Sequence, residues 1–536
     1  MDKKYIELAL KNITKYGDTD IFPFPIENNV FFDNQDKAIK HLKKFDSSFS
    51  ENIDKSPPVN ISTCSPLGYT GFRWATQIDP EWNAYFLALV LSIAEESEKE
   101  RIKTGHKVVH SYRFDPNYEN GQLFNLEVNW RSFHLESLEI AKTDKYDYVV
   151  TCDIADFYSR IYHHRLENAL LTLNLKNDTP KRIMGILQKF SGTNSYGLPI
   201  GGPAARILAE LALNNLDKIL KLRGVRFTRF VDDIHIFAST KEEAHQFLNF
   251  LSIKLMNNEG LTLQKHKTQI LSKSEFIKLI SSRINADSED GKTRYRAKFM
   301  ALPVRYDPYS PTADEDYKEI KKELESFDIL GLLNEELRKS RIHQQFSKHL
   351  LKSLSVLDSE IVSEAFNAIV QRLDLLYPIF PNLMMAATYN FDKLNSKAQE
   401  TLLVSLQELV KTDSYIIQIE LNAAYMIRLL GKKQTPENEE TLSILLKKFQ
   451  DSILVRSWIL QVFTNWKMDF WLSDLRSSFP TMTKWERRIF IVASYFMKDE
   501  GSHWRNHNKK GFSDFEVLIR DWAAERVQIK DWNIPL

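Results

Sequence analysis

The chain has 536 residues, of which 43% are hydrophobic, 12% aromatic and 27% charged, with 17 glycines and 18 prolines. These values exclude a disordered, collagen-like or low-complexity protein, and at roughly 100–200 residues per domain the length implies two to four domains. With 72 Lys and Arg against 71 Asp and Glu, the formal charge of +1 excludes a globally basic nucleic-acid coat and confines any polyanion site to a local patch. Only Cys64 and Cys152 are present. They cannot make a four-ligand zinc site alone or support a disulfide scaffold, so a reducing cytoplasm is expected.

The start, MDKKYIELALKNITKY, reads as an amphipathic helix rather than a signal peptide, because charges interrupt each apolar run. The apolar stretch Ala84–Ala94 is too short to span a bilayer, which needs about twenty residues, and reads as a buried helix. Helices are expected over 80–102, 166–173, 181–190, 202–222 and 241–259. Strand-like runs occupy 146–154, 225–230, 234–238 and 261–271. Strands interleaved with helices, with one hairpin, predict an α+β domain with an antiparallel sheet. The prolines 303, 308 and 311 mark a boundary near residue 300, and thirteen of the 17 glycines precede it. Beyond it almost everything has helical periodicity, so 1–300 and 301–536 are expected as two domains. The second is read as all-α, either a HEAT-like helical-repeat array or an irregular bundle.

The chemistry gathers in the first part. KYDYVVTCDIADFY reads as a strand that delivers Asp153 near its end. About eighty residues on, RFTRFVDDIHIFAS places Asp232 and Asp233 at a hairpin turn. If the hairpin lies beside the first strand, three carboxylates meet at one sheet edge. Their repulsion is relieved by hard divalent cations, Mg²⁺ or Mn²⁺, and two such ions about 4 Å apart perform nucleotidyl transfer. Alone, adjacent aspartates in a hairpin are usually turn residues. Between the acidic elements, SGTNSYGLPIGGPAARILAEL carries Gly192, Gly197, Gly201 and Gly202 into a long helix, as a loop that approaches a flat or phosphate-bearing ligand does. Further on, GLTLQKHKTQIL supplies Lys265 and Lys267. A lysine near a metal site can balance phosphate charge or protonate pyrophosphate.

In this order VTCDIADFYSRI, GLPIGGPAARILAEL, RFVDDI and LTLQKHKT resemble motifs A to D of reverse transcriptases, over roughly residues 60–280. Upstream, GYTGFRWATQIDPEWNAYFLALVLSIAEESEKERI and VVHSYRFDP resemble the fingers of bacterial defence-associated reverse transcriptases, the AbiK-like abortive-infection group, which also end in a helical-repeat domain. The resemblance implies fingers and palm followed by a helical domain. It implies Asp153, Asp232, Asp233 and the carbonyl of Ile154 as ligands of two Mg²⁺ or Mn²⁺ ions, and Lys267 as the motif D lysine. Tyr158, Arg113, Pro199 and Gly201 are implied as nucleotide contacts. Asp156 is read as structural. Two positions depart from the common pattern: Phe230 stands for the usual tyrosine of motif C, and Ile200 for the glutamine of retroviral motif B.

Tyr158, five residues after Asp153, is bulky enough to exclude a ribose 2′-hydroxyl, which predicts dNTPs as substrates. Lys218, Lys221, Arg223, Arg226 and Arg229, with Arg206 and Lys265, are candidate nucleic-acid contacts if they face one way. The basic-aromatic segment His503–Phe512 reads as a mobile loop that could contact nucleic acid. The expectation is a bacterial cytoplasmic, homo-oligomeric DNA polymerase in antiphage defence, with single-stranded DNA as product and no membrane association. Synthesis could be protein-primed and template-free, or templated by a dedicated noncoding RNA. A third possibility is a non-catalytic interaction protein with a vestigial palm.

Overall fold

The computed structural model describes residues 1–175, 177–284, 295–296, 298–300, 302, 324 and 326–536. The proline-marked stretch at 303–311 and most of the helically periodic run DEDYKEIKKELESF at 314–327 lie outside the described residues. The chain forms two compact units, each assembled from separated segments: Met1–Ile13, Leu42–Pro58 and Trp82–Lys298 in the first, and Thr14–His41, Val59–Glu81 and Phe299–Leu536 in the second. The division is therefore not the linear one expected near residue 300, because two early segments join the second unit.

Specific buried contacts account for this recruitment. Within the second unit, the Arg488 guanidinium is 2% exposed and lies 2.8 Å from Glu27 and 2.7 Å from Asp79. Trp485 donates its indole N–H to the Val59 carbonyl at 2.7 Å, and the Tyr425 hydroxyl donates to the Ile21 carbonyl at 3.0 Å. Asp33 accepts from Trp522 at 2.6 Å. The same unit contains an antiparallel hairpin, β1 (Ile61–Leu67) and β2 (Gly71–Gln77), paired from Ile61↔Gln77 to Leu67↔Gly71. From Ile329 onward its described residues are helices and turns. Helices 344–353, 380–390, 420–430, 453–465, 484–493 and 514–526 pack successively, and 329–337, 359–370, 396–411 and 436–448 form a second row. Each helix thus stacks on the next but one, which is how helical repeats bury a continuous core. The segment read as a mobile loop at 503–512 is instead the end of helix Lys498–Asn508 and a 3₁₀ turn, with Trp504 buried against Phe479 and Phe490.

The first unit is built round a four-stranded antiparallel sheet of order β4-β5-β3-β6: β3 (Tyr148–Asp153), β4 (Arg226–Phe230), β5 (Asp233–Ala238) and β6 (Gln269–Ser272). The expected 261–271 strand is broken: a 3₁₀ turn at Lys265–Lys267 precedes the short β6, and Leu263 makes only an isolated bridge to Ile154. Helix 130–142, missed in the sequence, packs beneath the sheet. Its Phe133 stacks on His235 at 4.4 Å, and its Ser137 hydroxyl meets Thr228 at 2.8 Å and His235 Nδ1 at 3.0 Å. The apolar Ala84–Ala94 run is buried within helix Pro80–Glu100, as expected. Gly121 needs to be glycine: at φ +77° its Cβ would sit 2.7 Å from the Lys11 backbone, where the amino-terminal helix crosses. Cys64 and Cys152 are free thiols. Among the described residues no helix is long and apolar enough to cross a membrane.

Two outcomes follow from this packing. Arg488→Leu leaves Glu27 and Asp79 buried without their cation, so denaturation of the helical unit should show a loss of about 3–5 kcal/mol; an unchanged transition would contradict the role given to this cluster. Burial holds His134 down to about 4 and His235 well below its ordinary value. Their folded forms bind protons less readily than their unfolded forms, so their contribution is complete above about pH 6.5 and is lost as pH falls toward 4. A His134→Phe variant should flatten that acid limb in thermal melts recorded from pH 7 to 4.

Candidate active site

Asp153 is the last residue of β3, a strand whose Tyr148, Val149, Val150 and Thr151 suit a pleated, buried surface. Antiparallel pairing with β5 sets Asp153 directly opposite Asp233. Phe230 pairs with Asp233 across the hairpin, so only Val231 and Asp232 form the loop. The Ile154 amide donates to the Asp232 carbonyl at 3.1 Å, tying the turn to the residue after Asp153. Backbone hydrogen bonds thus bring three carboxylate-bearing residues to one end of the sheet. Val231 closes the turn at φ +56°. A β-branched residue in the left-handed region is strained, typically by about 1–3 kcal/mol.

The segment after the hairpin crosses the same edge. The Gln264 amide donates to the Asp153 carbonyl at 2.7 Å, and Ala155 donates to Thr262 at 2.8 Å. The turn at Lys265–Lys267 then aims Lys267 Nζ at Asp153 Oδ2, 2.6 Å away. Burial, with the nearby Asp153 charge adding to it, pushes Asp232 up to about 7 and Asp233 up to about 6. Lys267 is raised: burial opposes its charge, but its hydrogen bond to Asp153 and the surrounding carboxylates outweigh that. Among the described residues no group of three or more His, Cys, Asp or Glu side chains is gathered closely enough to hold a metal ion as it stands. The donor set is nonetheless of the kind hard divalent cations take: three carboxylates stand at one end of the sheet, burial and their mutual charge raise Asp232 and Asp233, and Lys267 is the cation paired with Asp153.

The other expected residues divide. Tyr158 is half-buried, and its carbonyl accepts from the Leu198 amide at 2.8 Å, which joins the glycine-rich segment to the strand end. Burial raises its hydroxyl well above the ordinary value, and Tyr112, Arg206 and Asp232 lie near enough to act on its charge. Pro199 is buried, and Gly201 holds φ +121° with its carbonyl accepting from Arg206 at 3.3 Å. Arg206 lies over the Tyr112 ring at 5.2 Å.

Arg113, expected at the triphosphate, is a buried cation instead. Its side chain is 4% exposed, 2.9 Å from Glu98, and donates to the Ile102 carbonyl. Its neighbour Tyr112 reaches the site in its place, at φ +43° with its ring 6.3 Å from Phe230. The expected basic track does not face one way. Lys221, Arg223 and Lys265 are exposed, but Lys218 pairs with Glu100, Arg226 with Glu136, and Arg229 is fully buried. Glu210 and Asp217, unremarked in the sequence, are the buried partners of Arg229. Charged residues within the apolar periodicity of helix 203–222 were the available signal.

Residues 106–330 match the family model described as reverse transcriptase (RNA-dependent DNA polymerase). Of the two segments read as resembling fingers, 68–102 lies outside that match and 108–116 inside it. Among curated proteins none matches the sequence. Solved structures with similarity include apo telomerase from Candida tropicalis, at 12% identity and TM-score 0.31, covering 70% of this chain and 72% of that one. Telomerase from Candida albicans in complex with a TWJ fragment of telomeric RNA is 12% identical with TM-score 0.29, covering 70% and 69%. With a four-stranded antiparallel sheet that carries Asp153 and Asp233 face to face, and with this family match, the chain contains a reverse-transcriptase domain.

Proposed function

We propose that this chain polymerises deoxynucleotides at the edge formed by Asp153, Asp232 and Asp233. The observation that carries the reading is the pairing of Asp153 with Asp233 beside a turn that presents Asp232. Two Mg²⁺ or Mn²⁺ ions, when bound there, would activate a 3′-hydroxyl and steady the leaving pyrophosphate. The three aspartates, with the carbonyl of Ile154, are the residues that would hold them. Lys267 must leave Asp153 Oδ2 for that carboxylate to take a metal, and its Nζ then carries a proton suited to the departing pyrophosphate. Tyr158 and Pro199 wall the sugar and base, and the bulk of Tyr158 rejects a 2′-hydroxyl.

A role in antiphage defence is supported by the motifs that resemble the AbiK-like group and by the helical-repeat unit. Template-free, protein-primed synthesis of single-stranded DNA by an oligomer belongs to the same reading. The description of the matched family, an RNA-dependent enzyme, favours templated synthesis as a second reading.

Purified protein supplied with dNTPs and Mg²⁺, with and without an RNA template and primer, separates these readings on gels run before and after protease. The proposal expects DNA product in at least one arm and its loss, by at least about 100-fold, in Asp232→Ala/Asp233→Ala. Normal synthesis by that variant would overturn it. Tyr158→Ala should raise ribonucleotide incorporation relative to dNTPs by roughly tenfold or more; an unchanged ratio would remove Tyr158 from sugar selection. Mg²⁺ or Mn²⁺ should also raise the Tm of the wild type but not that of Asp232→Asn/Asp233→Asn, because binding to the native state alone is stabilising.

A further inference from the structure

Arg229 lies one residue before the turn aromatic and is 0% exposed. All five of its guanidinium N–H groups have acceptors. Nε donates to Asp217 Oδ1 at 2.8 Å, and Nη2 donates to Asp217 Oδ2 at 2.6 Å and Glu210 Oε2 at 2.9 Å. Nη1 donates to Glu210 Oε1 at 3.3 Å and to the Val231 carbonyl at 2.8 Å. Its main chain is fixed as well, donating to Val108 and accepting from His110, both at 2.8 Å. A fully buried cation with its whole donor fork engaged has one orientation available. The last of those donors holds the carbonyl of Val231, the residue whose left-handed backbone aims Asp232.

A second buried arginine repeats the pattern. Arg101 donates to Glu210 at 2.7 Å and to the carbonyl of Tyr112 at 2.9 Å. Tyr112, like Val231, is a non-glycine residue at positive φ, and its ring borders the motif C turn. Glu210 thus joins two arginines, and each holds the carbonyl of one strained residue at the site. Backbone strain of this kind persists only where the surroundings over-determine it.

Resting on the proposed polymerase reading, we infer that Arg229 is a positioning residue: anchored by Asp217 and Glu210 on helix 203–222, it clamps the Val231 carbonyl and so holds the strained turn that presents Asp232. It does not touch substrate. Nucleic-acid contact, the role the sequence suggested for it, is replaced by one beneath the site.

The test is a double-mutant cycle with glycine at the strained position. Lysine keeps a charge for Asp217 and Glu210 but lacks the fork that also reaches the carbonyl, so Arg229→Lys should lower kcat for dNTP addition on the order of 10–100-fold with KM changed less than about threefold. Glycine adopts positive φ freely, so in a Val231→Gly background the same Arg229→Lys change should cost no more than about threefold. Equal losses in both backgrounds, or an undiminished kcat in folded Arg229→Lys, would overturn the clamp. If Arg229→Lys does not fold, Arg229→Met/Asp217→Leu removes a matched pair, leaves Glu210 on Arg101, and must show the same loss and the same rescue. Hydrogen exchange gives a readout without turnover: peptides spanning 226–238 should exchange at least about tenfold faster in Arg229→Lys, with helix 420–430 unchanged. Faster exchange in Arg229→Lys, with a wild type that proves inactive, would sink the polymerase reading and keep the clamp. Unchanged exchange and kcat in an active enzyme would sink the clamp and keep the reading.

Discussion

The pairing of β3 with β5 is the constraint on which the site depends. Register in an antiparallel ladder is all-or-none, because a one-residue slip turns every side chain to the opposite face. Here it places Asp153 across from Asp233, with Val149 and Val150 on opposite faces of the sheet, both of them buried. The pairing of β4 with β5 leaves room for only two residues in the hairpin loop, and Val231 meets that demand by taking a backbone conformation it does not prefer. A site of concentrated negative charge is therefore built by uncharged backbone hydrogen bonds within a buried sheet.

Two kinds of positive charge surround the site, and only one of them pairs with its aspartates. Lys267 approaches from a short turn, remains 63% exposed and sits on Asp153. A long, exposed side chain is exchangeable, as the role proposed for it, yielding its place to a cation, requires. Arg229 and Arg101 are the opposite: wholly enclosed, fork-bonded and directed at backbone carbonyls. Buried ion pairs contribute little net stability, yet they define one arrangement out of many, and here that arrangement coincides with the two strained residues bordering the site. The helical unit uses buried charge in the same manner, with Arg488 gathering Glu27 and Asp79 from segments distant in sequence.

Much of this was legible in the sequence. The strand ending in Asp153, the hairpin of Asp232 and Asp233, the helix after the glycine-rich segment and the helical character beyond residue 326 all follow from periodicity and turn chemistry. The hidden parts are those that long-range contact decides. Val59, Asp79 and Glu27 carry no local mark of belonging with residues four hundred positions away. Helix 130–142 is polar enough on its outer face to read as loop. In SYRF the sequence favours the charged Arg113 over Tyr112 for a phosphate site, but adjacent side chains point apart, and the one that turned inward was the arginine. Likewise, a run of basic residues at 218–229 suggests a surface track until the carboxylates at 100, 136, 210 and 217 are placed beside it.

The central claim is that Asp153, Asp232 and Asp233 form one cation-binding centre for nucleotide addition. Anomalous diffraction from crystals grown with Mn²⁺ and a non-hydrolysable dNTP analogue tests it most directly. The account predicts Mn²⁺ peaks bounded by the carboxylates of all three aspartates, with Lys267 displaced from Asp153 and the analogue's sugar against Tyr158. Peaks that avoid Asp153, or an intact Lys267–Asp153 pair beside bound analogue, would contradict it.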